Sequence, residues 1–149
     1  MKAISLASLT VLVASLALLL LNTPTAAKPL PRYGLFVFSS LCWERESGDA
    51  DGARLILVRL PGSDFARFSY TGEGPLNEAP IEDLHIDGKS GRISFRYLTQ
   101  YDPVSNKSNV YVSEEGIVSA EGFDQKGVDG NMHRMPRVIP SQKAIPVCR

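Results

Sequence analysis

The chain carries two cysteines, Cys42 and Cys148, which lie near the two ends of the sequence that follows an apolar N-terminal segment. In an oxidising compartment, two cysteines in one small domain most simply form one disulfide. This bond would close a loop of about 106 residues, and a loop of that length stabilises a fold by roughly 4–5 kcal/mol in the chain-entropy model. We therefore predict a Cys42–Cys148 disulfide, with free or intermolecular thiols as the alternative.

Residues 1–27 have the pattern of an export signal peptide. Lys2 and the terminal amine form a short positive region, and a mostly apolar run from Leu9 to Leu21 follows it. That run is shorter than the roughly 20 apolar residues that a membrane-spanning helix needs. Pro24 then interrupts any helix, and small residues precede a cleavage site after Ala27. The pattern predicts that the leader is removed, with an uncleaved N-terminal anchor as the alternative.

Removal of the leader would leave one domain at 28–149, since a chain of this length builds a single core. The full sequence balances 16 Lys and Arg residues against 16 Asp and Glu residues. Nucleic-acid-binding domains usually carry a basic excess or a basic stripe, so we predict no nucleic-acid partner. No segment after the leader is apolar enough to span a membrane. We predict a periplasmic or secreted protein whose partner is a protein or a small molecule.

Alternating apolar and polar residues mark several strands. The clearest case is a hairpin in which residues 83–87 and 92–97 alternate on either side of a glycine-containing turn at 88–91. Glycine, proline and polar clusters separate the other apolar runs. The seven strand candidates are 34–45, 53–60, 65–71, 83–87, 92–97, and the two strands of a hairpin that spans 109–122 around a turn at 113–116.

These short strands predict an all-β fold, either a small antiparallel β-sandwich or an up-and-down β-barrel of about seven to eight strands. Pro136, Pro140 and Pro146 exclude a long helix from the C-terminal segment. We predict an extended tail at about 132–149, which the disulfide holds across the first strand so that it covers an open edge.

Asp83, His85 and Asp87 form one weak candidate site. Residues two apart in a strand point to the same face and lie about 7 Å apart. Two carboxylates and an imidazole could bind a metal ion or carry out acid–base chemistry. The alternative is that these residues form the solvated face of a half-buried strand.

Four carboxylates at an early strand end form a weak candidate metal site. Calcium takes several oxygen ligands, and a solvated acidic loop is the alternative interpretation. The residues are Glu44, Glu46, Asp49 and Asp51.

Aromatic residues could form a stacking surface for a sugar or a peptide. In small β-domains most aromatic side chains belong to the core, and we predict core or core-edge positions for most of Trp43, Tyr97, Tyr111 and Phe123. Tyr101, in a predicted loop, is the best weak candidate for an exposed contact.

No catalytic motif in the sequence is complete, and we predict no catalytic residue and no cofactor. The first functional hypothesis is an exported, non-enzymatic binding or interaction module of a bacterial cell envelope or secretome. The second is a small hydrolase or metal-dependent enzyme that uses His85 or His133 with nearby carboxylates. The third is an accessory subunit or inhibitor-like protein that docks on an envelope protein. A ligand-binding barrel predicts a cavity lined by Phe68, Phe95 or Tyr97.

Overall fold

The structure is a computed structural model that describes residues 28–71, 76–102, 107–127, 130–139 and 145–148. The predicted signal peptide lies outside these residues. Every regular element in the described ranges is a β-strand, and no helix in them is long and apolar enough to cross a membrane.

Eight antiparallel strands form a closed barrel. They are β1 (Gly34–Ser39), β4 (Ala53–Leu60), β5 (Ser63–Tyr70), β6 (Asn77–Ile86), β7 (Arg92–Asp102), β8 (Lys107–Val118), β9 (Gly122–Lys126) and β10 (Met132–Val138). Strands β4 to β10 pair in chain order, and β1 closes the barrel by pairing with both β10 and β4. The predicted all-β class is confirmed, and the closed strand order identifies the barrel rather than the sandwich.

Two further short strands form a ribbon outside the barrel. Strands β2 (Cys42–Trp43) and β3 (Ala50–Asp51) pair only with each other in the strand order. The predicted first strand at 34–45 is therefore too long. It ends at Ser39, and Cys42 lies in the ribbon rather than in a barrel strand.

Alternation along each strand fills the barrel interior. Inward residues meet across neighbouring strands, as Leu55 does with Phe68 and Phe123 with Met135. This burial of apolar surface is the main favourable contribution to folding. The buried core consists of Phe36, Phe38, Leu55, Leu57, Phe68, Ala79, Ile93, Phe95, Tyr97, Val118, Phe123 and Met135.

A β-bulge in β6 changes which residues point inward. The register of β6 against β7 shifts between Glu82 and His85, and Asp83 adopts a positive φ of 51°. Before the bulge Ile81 packs against the core, and after it Leu84 does so. The extra residue therefore keeps the apolar side chains of β6 inside, although the simple alternation is broken.

The predicted hairpin at 109–122 is wrong, because β8 continues through 113–116 as far as Val118. The chain turns at residues 119–122, directly after β8, where the Ser119 N–H donates to the Gly122 carbonyl at 2.8 Å. Gly116 marks a close approach between strands rather than a turn. A Cβ atom there would overlap the Phe123 ring and the Asp124 carbonyl.

Residues 28–33, which precede β1 and form the N-terminal lead-in, cover one end of the barrel. Pro29 bridges to Ser119, and the Ala120 N–H donates to the Lys28 carbonyl at 2.9 Å. Leu30 packs against the core cluster from the same segment. This end holds the starts of β1, β5, β7 and β9.

The Cys42–Cys148 disulfide is confirmed, and the tail covers an edge of the first strand as predicted, since its first part is β10, which pairs with β1. The prediction that the disulfide holds the tail there is wrong, because Cys42 lies in the ribbon and barrel pairing with β9 and β1 positions β10. The final described residues join the ribbon instead. The Trp43 N–H donates to the Pro146 carbonyl at 2.7 Å, and the Cys148 N–H donates to the Trp43 carbonyl at 2.8 Å.

Candidate functional site

The end of the barrel opposite the lead-in opens into a cavity of about 920 Å³. It lies where β1, β5 and β9 end and where β4 and β10 begin. Residues from six barrel strands line it, because alternation points every second residue inward. Those that carry its chemistry are Phe68, Tyr70, Tyr97, Glu114, Gln125 and His133.

Three aromatic rings form one wall of this mouth cavity. The Tyr97 ring centroid lies 4.9 Å from that of Phe68 and 5.2 Å from that of Tyr70. The Tyr70 hydroxyl shares a 2.6 Å hydrogen bond with the Thr99 hydroxyl, which holds the ring in place. Of the three residues predicted to line a ligand cavity, Phe68 and Tyr97 do so. Phe95 is buried in the core, where its ring packs 5.5 Å from that of Phe68.

A partly buried carboxylate lies on the cavity wall beside the aromatic rings. The Tyr97 hydroxyl donates to Glu114 Oε1 at 3.4 Å, and the Gln125 amide Nε2 donates to Glu114 Oε2 at 2.7 Å. Burial raises the pKa of the Glu114 carboxyl above its ordinary value, and the hydrogen bonds from Gln125 and Tyr97 offset part of that rise. The cavity thus combines apolar rings with a hydrogen-bonded acid.

The cavity rim is fixed by backbone contacts next to the ribbon. Gly52 has a φ of +102°, and a Cβ atom there would lie 2.7 Å from the Ser40 carbonyl oxygen. The Thr71 N–H and hydroxyl both donate to the Gly52 carbonyl, at 3.0 and 3.1 Å. Only glycine suits this conformation and spacing. The rim therefore holds a defined shape and connects the mouth cavity to the disulfide-linked ribbon.

The structure does not bring all three of Asp83, His85 and Asp87 together, although His85 and Asp87 both line a second cavity of about 550 Å³. The bulge separates Asp83, whose Oδ2 lies 2.9 Å from Arg96 Nε in an exposed ion pair. His85 is exposed on the outer surface. Asp87 caps the β6–β7 turn, where its carboxylate accepts from the Ser90 hydroxyl at 2.5 Å. That bond is the largest cause of a lowered Asp87 pKa.

The predicted acidic metal site is also dispersed. Glu44 Oε2 accepts from the Ser47 hydroxyl at 3.1 Å, and Asp51 Oδ1 accepts from the Gly52 N–H at 2.8 Å. These bonds shape the ribbon turn and its exit. Glu46 and Asp49 are exposed in the same loop. Across the described ranges, no group of three His, Cys, Asp or Glu residues could hold a metal ion.

The aromatic predictions divide between the core and the surface. Tyr97 and Phe123 are buried as predicted, whereas Trp43 and Tyr111 are exposed. Tyr111 lies on the outer face, where its hydroxyl donates to Glu82 Oε1 at 2.9 Å and this bond raises the Tyr111 pKa. The backbone of Tyr101 belongs to β7 rather than to a loop, and its side chain lies outside what the structure describes.

Sequence reasoning missed Glu114 as a site residue. The segment Ser113-Glu114-Glu115-Gly116 has the composition of a turn, but it lies inside β8. Alternation provides the missing signal, since partly buried Val112 and Glu114 alternate with exposed Tyr111, Ser113 and Glu115. Continuing that pattern through the segment would have placed Glu114 on the inner face.

We expect Glu114→Gln to stabilise the fold at neutral pH and to have little effect in acid. Because the folded state holds the Glu114 proton more tightly than the unfolded chain does, stability falls as pH rises from the ordinary Glu pKa through the raised value. Glutamine does not ionise and so avoids this loss. Thermal unfolding from about pH 4 to about pH 8 should give equal melting temperatures at the lower end and a gain of a few degrees at the upper end.

The matched control is Glu115→Gln, which removes the same charge from the exposed neighbour on β8. It should leave the pH dependence of the melting temperature unchanged. A melting temperature for Glu114→Gln that stays at or below the parent value at neutral pH would contradict the buried-acid assignment.

Comparisons with family models, curated proteins and solved structures find no match for this chain. Its function must therefore be argued from the geometry of the mouth cavity.

Proposed function

We propose that this protein is an exported, non-enzymatic binding module that holds a small molecule in the mouth of its barrel. The observation that carries the proposal is the unequal filling of the interior. The end covered by the lead-in keeps a cavity of only about 160 Å³, whereas the other end opens into a cavity of about 920 Å³. Small-molecule sites typically have volumes of about 300–1,000 Å³ and combine apolar walls with a few polar groups.

The shape of the cavity supports binding inside the barrel rather than on its outer face. Phe68 and Tyr97 line the cavity and are also members of the buried core. Their positions are therefore held by packing against other core side chains. A preformed wall lowers the entropy lost when a ligand is ordered.

Export belongs to the same proposal. The leader pattern at 1–27 and the Cys42–Cys148 disulfide both suit a protein that folds in an oxidising compartment. We place the protein in the periplasm or outside the cell.

A small hydrolase is the second candidate, since His133 and Glu114 line the same cavity. A histidine and a carboxylate are the usual groups for acid–base catalysis. His85 lies outside the mouth cavity, in a separate cavity that Asp87 also lines, and has no part in this candidate site. The two proposals differ in one outcome, since an enzyme would convert a bound ligand and a binding module would release it unchanged.

The test is a small-molecule screen of the mature chain by thermal unfolding, followed by titration calorimetry. A ligand at one hundred times its Kd should raise the free energy of unfolding by about 2.7 kcal/mol. The variant Val112→Trp places a large ring in the cavity and should abolish binding. The control Ile117→Trp adds a similar ring to the exposed face of the same strand and should bind as the parent does. Equal binding by the parent and Val112→Trp would overturn the proposal.

A further inference from the structure

The hydrogen-bond partners of Glu114 leave part of its carboxylate unused. In the described part of the chain its partners are the Tyr97 hydroxyl and the Gln125 amide, both of them neutral donors. Each carboxylate oxygen can accept about two hydrogen bonds. The carboxylate therefore keeps acceptor capacity on a side chain that lines the cavity.

None of the ion pairs found among the described residues involves Glu114. Arg134 lines the same cavity, but its guanidinium pairs with Asp124 at 3.4 Å and lies 3.9 Å from Glu121. Lys126, also in the lining, is exposed at the end of β9. A carboxylate removed from water without a cation is costly. A positively charged ligand would offset that cost.

The aromatic wall supplies a second group that attracts cations. Tyr97 connects the two, because its hydroxyl bonds to Glu114 while its ring packs against Phe68 and Tyr70. The face of an aromatic ring attracts a cation within about 6 Å of its centroid. A cationic group beside Glu114 would therefore contact both a carboxylate and an electron-rich ring.

We infer that the mouth cavity selects a small organic cation, an amine whose ammonium group pairs with Glu114 and whose apolar body lies against Phe68, Tyr70 and Tyr97. This inference rests on the proposed binding function and adds the chemical class of the ligand. The charged hydrogen bond fixes the orientation of the ligand. The three rings provide apolar contact to the rest of the ligand, and this contact does not require one particular apolar group.

The test compares three probes of similar size and different charge: phenethylamine, 2-phenylethanol and phenylacetate. Titration calorimetry with the mature parent protein at neutral pH should rank the amine first and the carboxylate last. A hydrogen bond to a charged group accounts for a factor of about ten to one hundred in affinity. We expect the amine to exceed the alcohol by at least the lower factor.

Two variants assign the preference to one side chain. Glu114→Gln should lower the affinity for the amine to that for the alcohol and leave the affinity for the alcohol unchanged. Glu78→Gln, which removes an exposed carboxylate on β6 that does not line the cavity, should keep the preference. If the amine and the alcohol occupy the same cavity, Val112→Trp should block the binding of both probes equally.

Two outcomes would overturn the inference and leave the binding function intact. One is equal affinity for the amine and the alcohol in the parent protein. The other is a preference for the amine that survives in Glu114→Gln. Failure of all three probes, together with a neutral or anionic ligand from the wider screen, would also overturn it. Failure of both the probes and the screen would instead remove the proposed binding function.

Discussion

Phe123→Ala is expected to lower the free energy of unfolding by about 3–5 kcal/mol. The Phe123 side chain is fully buried, and its ring packs 6.5 Å from that of Phe95. It also covers Gly116, which has no side chain to fill the space. The substitution removes both contacts and leaves a cavity. The loss would be a large part of the roughly 5–15 kcal/mol by which domains are stable.

Removal of the Phe123 side chain should also weaken the closure of the barrel, because Phe123 lies in a short strand ladder. Pairing between β8 and β9 extends only from Gly116 to Val118 on the β8 side. Phe123 lies opposite Val118 in that short ladder and opposite Met135 on β10. Its side chain therefore packs where three strands meet. Because the β8–β9 ladder is short, few backbone hydrogen bonds remain to hold these strands together when the ring is removed.

Phe65→Ala is the matched control, since it deletes the same side chain from an outward position on β5 that is 58% exposed. Its cost should stay within about 0.5 kcal/mol, as is usual for surface substitutions. Urea unfolding followed by circular dichroism measures both variants. Equal losses would show that the Phe123 ring is not a principal part of the core.

Local sequence patterns predict much of this fold because neighbouring strands in the chain are also neighbours in the barrel. The β6–β7 hairpin follows directly from alternation on both sides of a turn, and the Asp87 carboxylate caps that turn as a polar turn residue should. The strand at 53–60 is also recovered with its limits unchanged. In these regions local preference and tertiary structure agree.

The errors occur where contacts distant in sequence override local preference. Gly116 indicates a turn by composition, but packing of Phe123 against it keeps β8 straight. Pro136 indicates an irregular tail, yet it lies where β10 leaves β9 and begins to pair with β1. A proline is tolerated there because the ladder changes partners. The mouth cavity could not be predicted, since Glu114 and the aromatic wall meet only when the barrel closes.

Loss of the Cys42–Cys148 disulfide is expected to release the tail from the ribbon while the barrel remains folded. Neither cysteine lies in a barrel strand, and β10 is held by β9 and β1 without the crosslink. Among the described residues at 145–148, two backbone bonds, between Trp43 and residues 146 and 148, then hold the tail. The free energy of global unfolding should still fall by about 2–5 kcal/mol, because a constraint on the unfolded chain is removed.

Trp43 allows the two events to be measured separately. It is the single tryptophan of the chain, and it lies in the ribbon where the tail pairs. In the Cys42→Ser/Cys148→Ser variant, tryptophan fluorescence should change at a lower denaturant concentration than the far-ultraviolet circular dichroism of the barrel. In the oxidised parent the two transitions should coincide. Coincident transitions in the variant would mean that the tail and the barrel unfold as one unit, because probes of a two-state reaction agree.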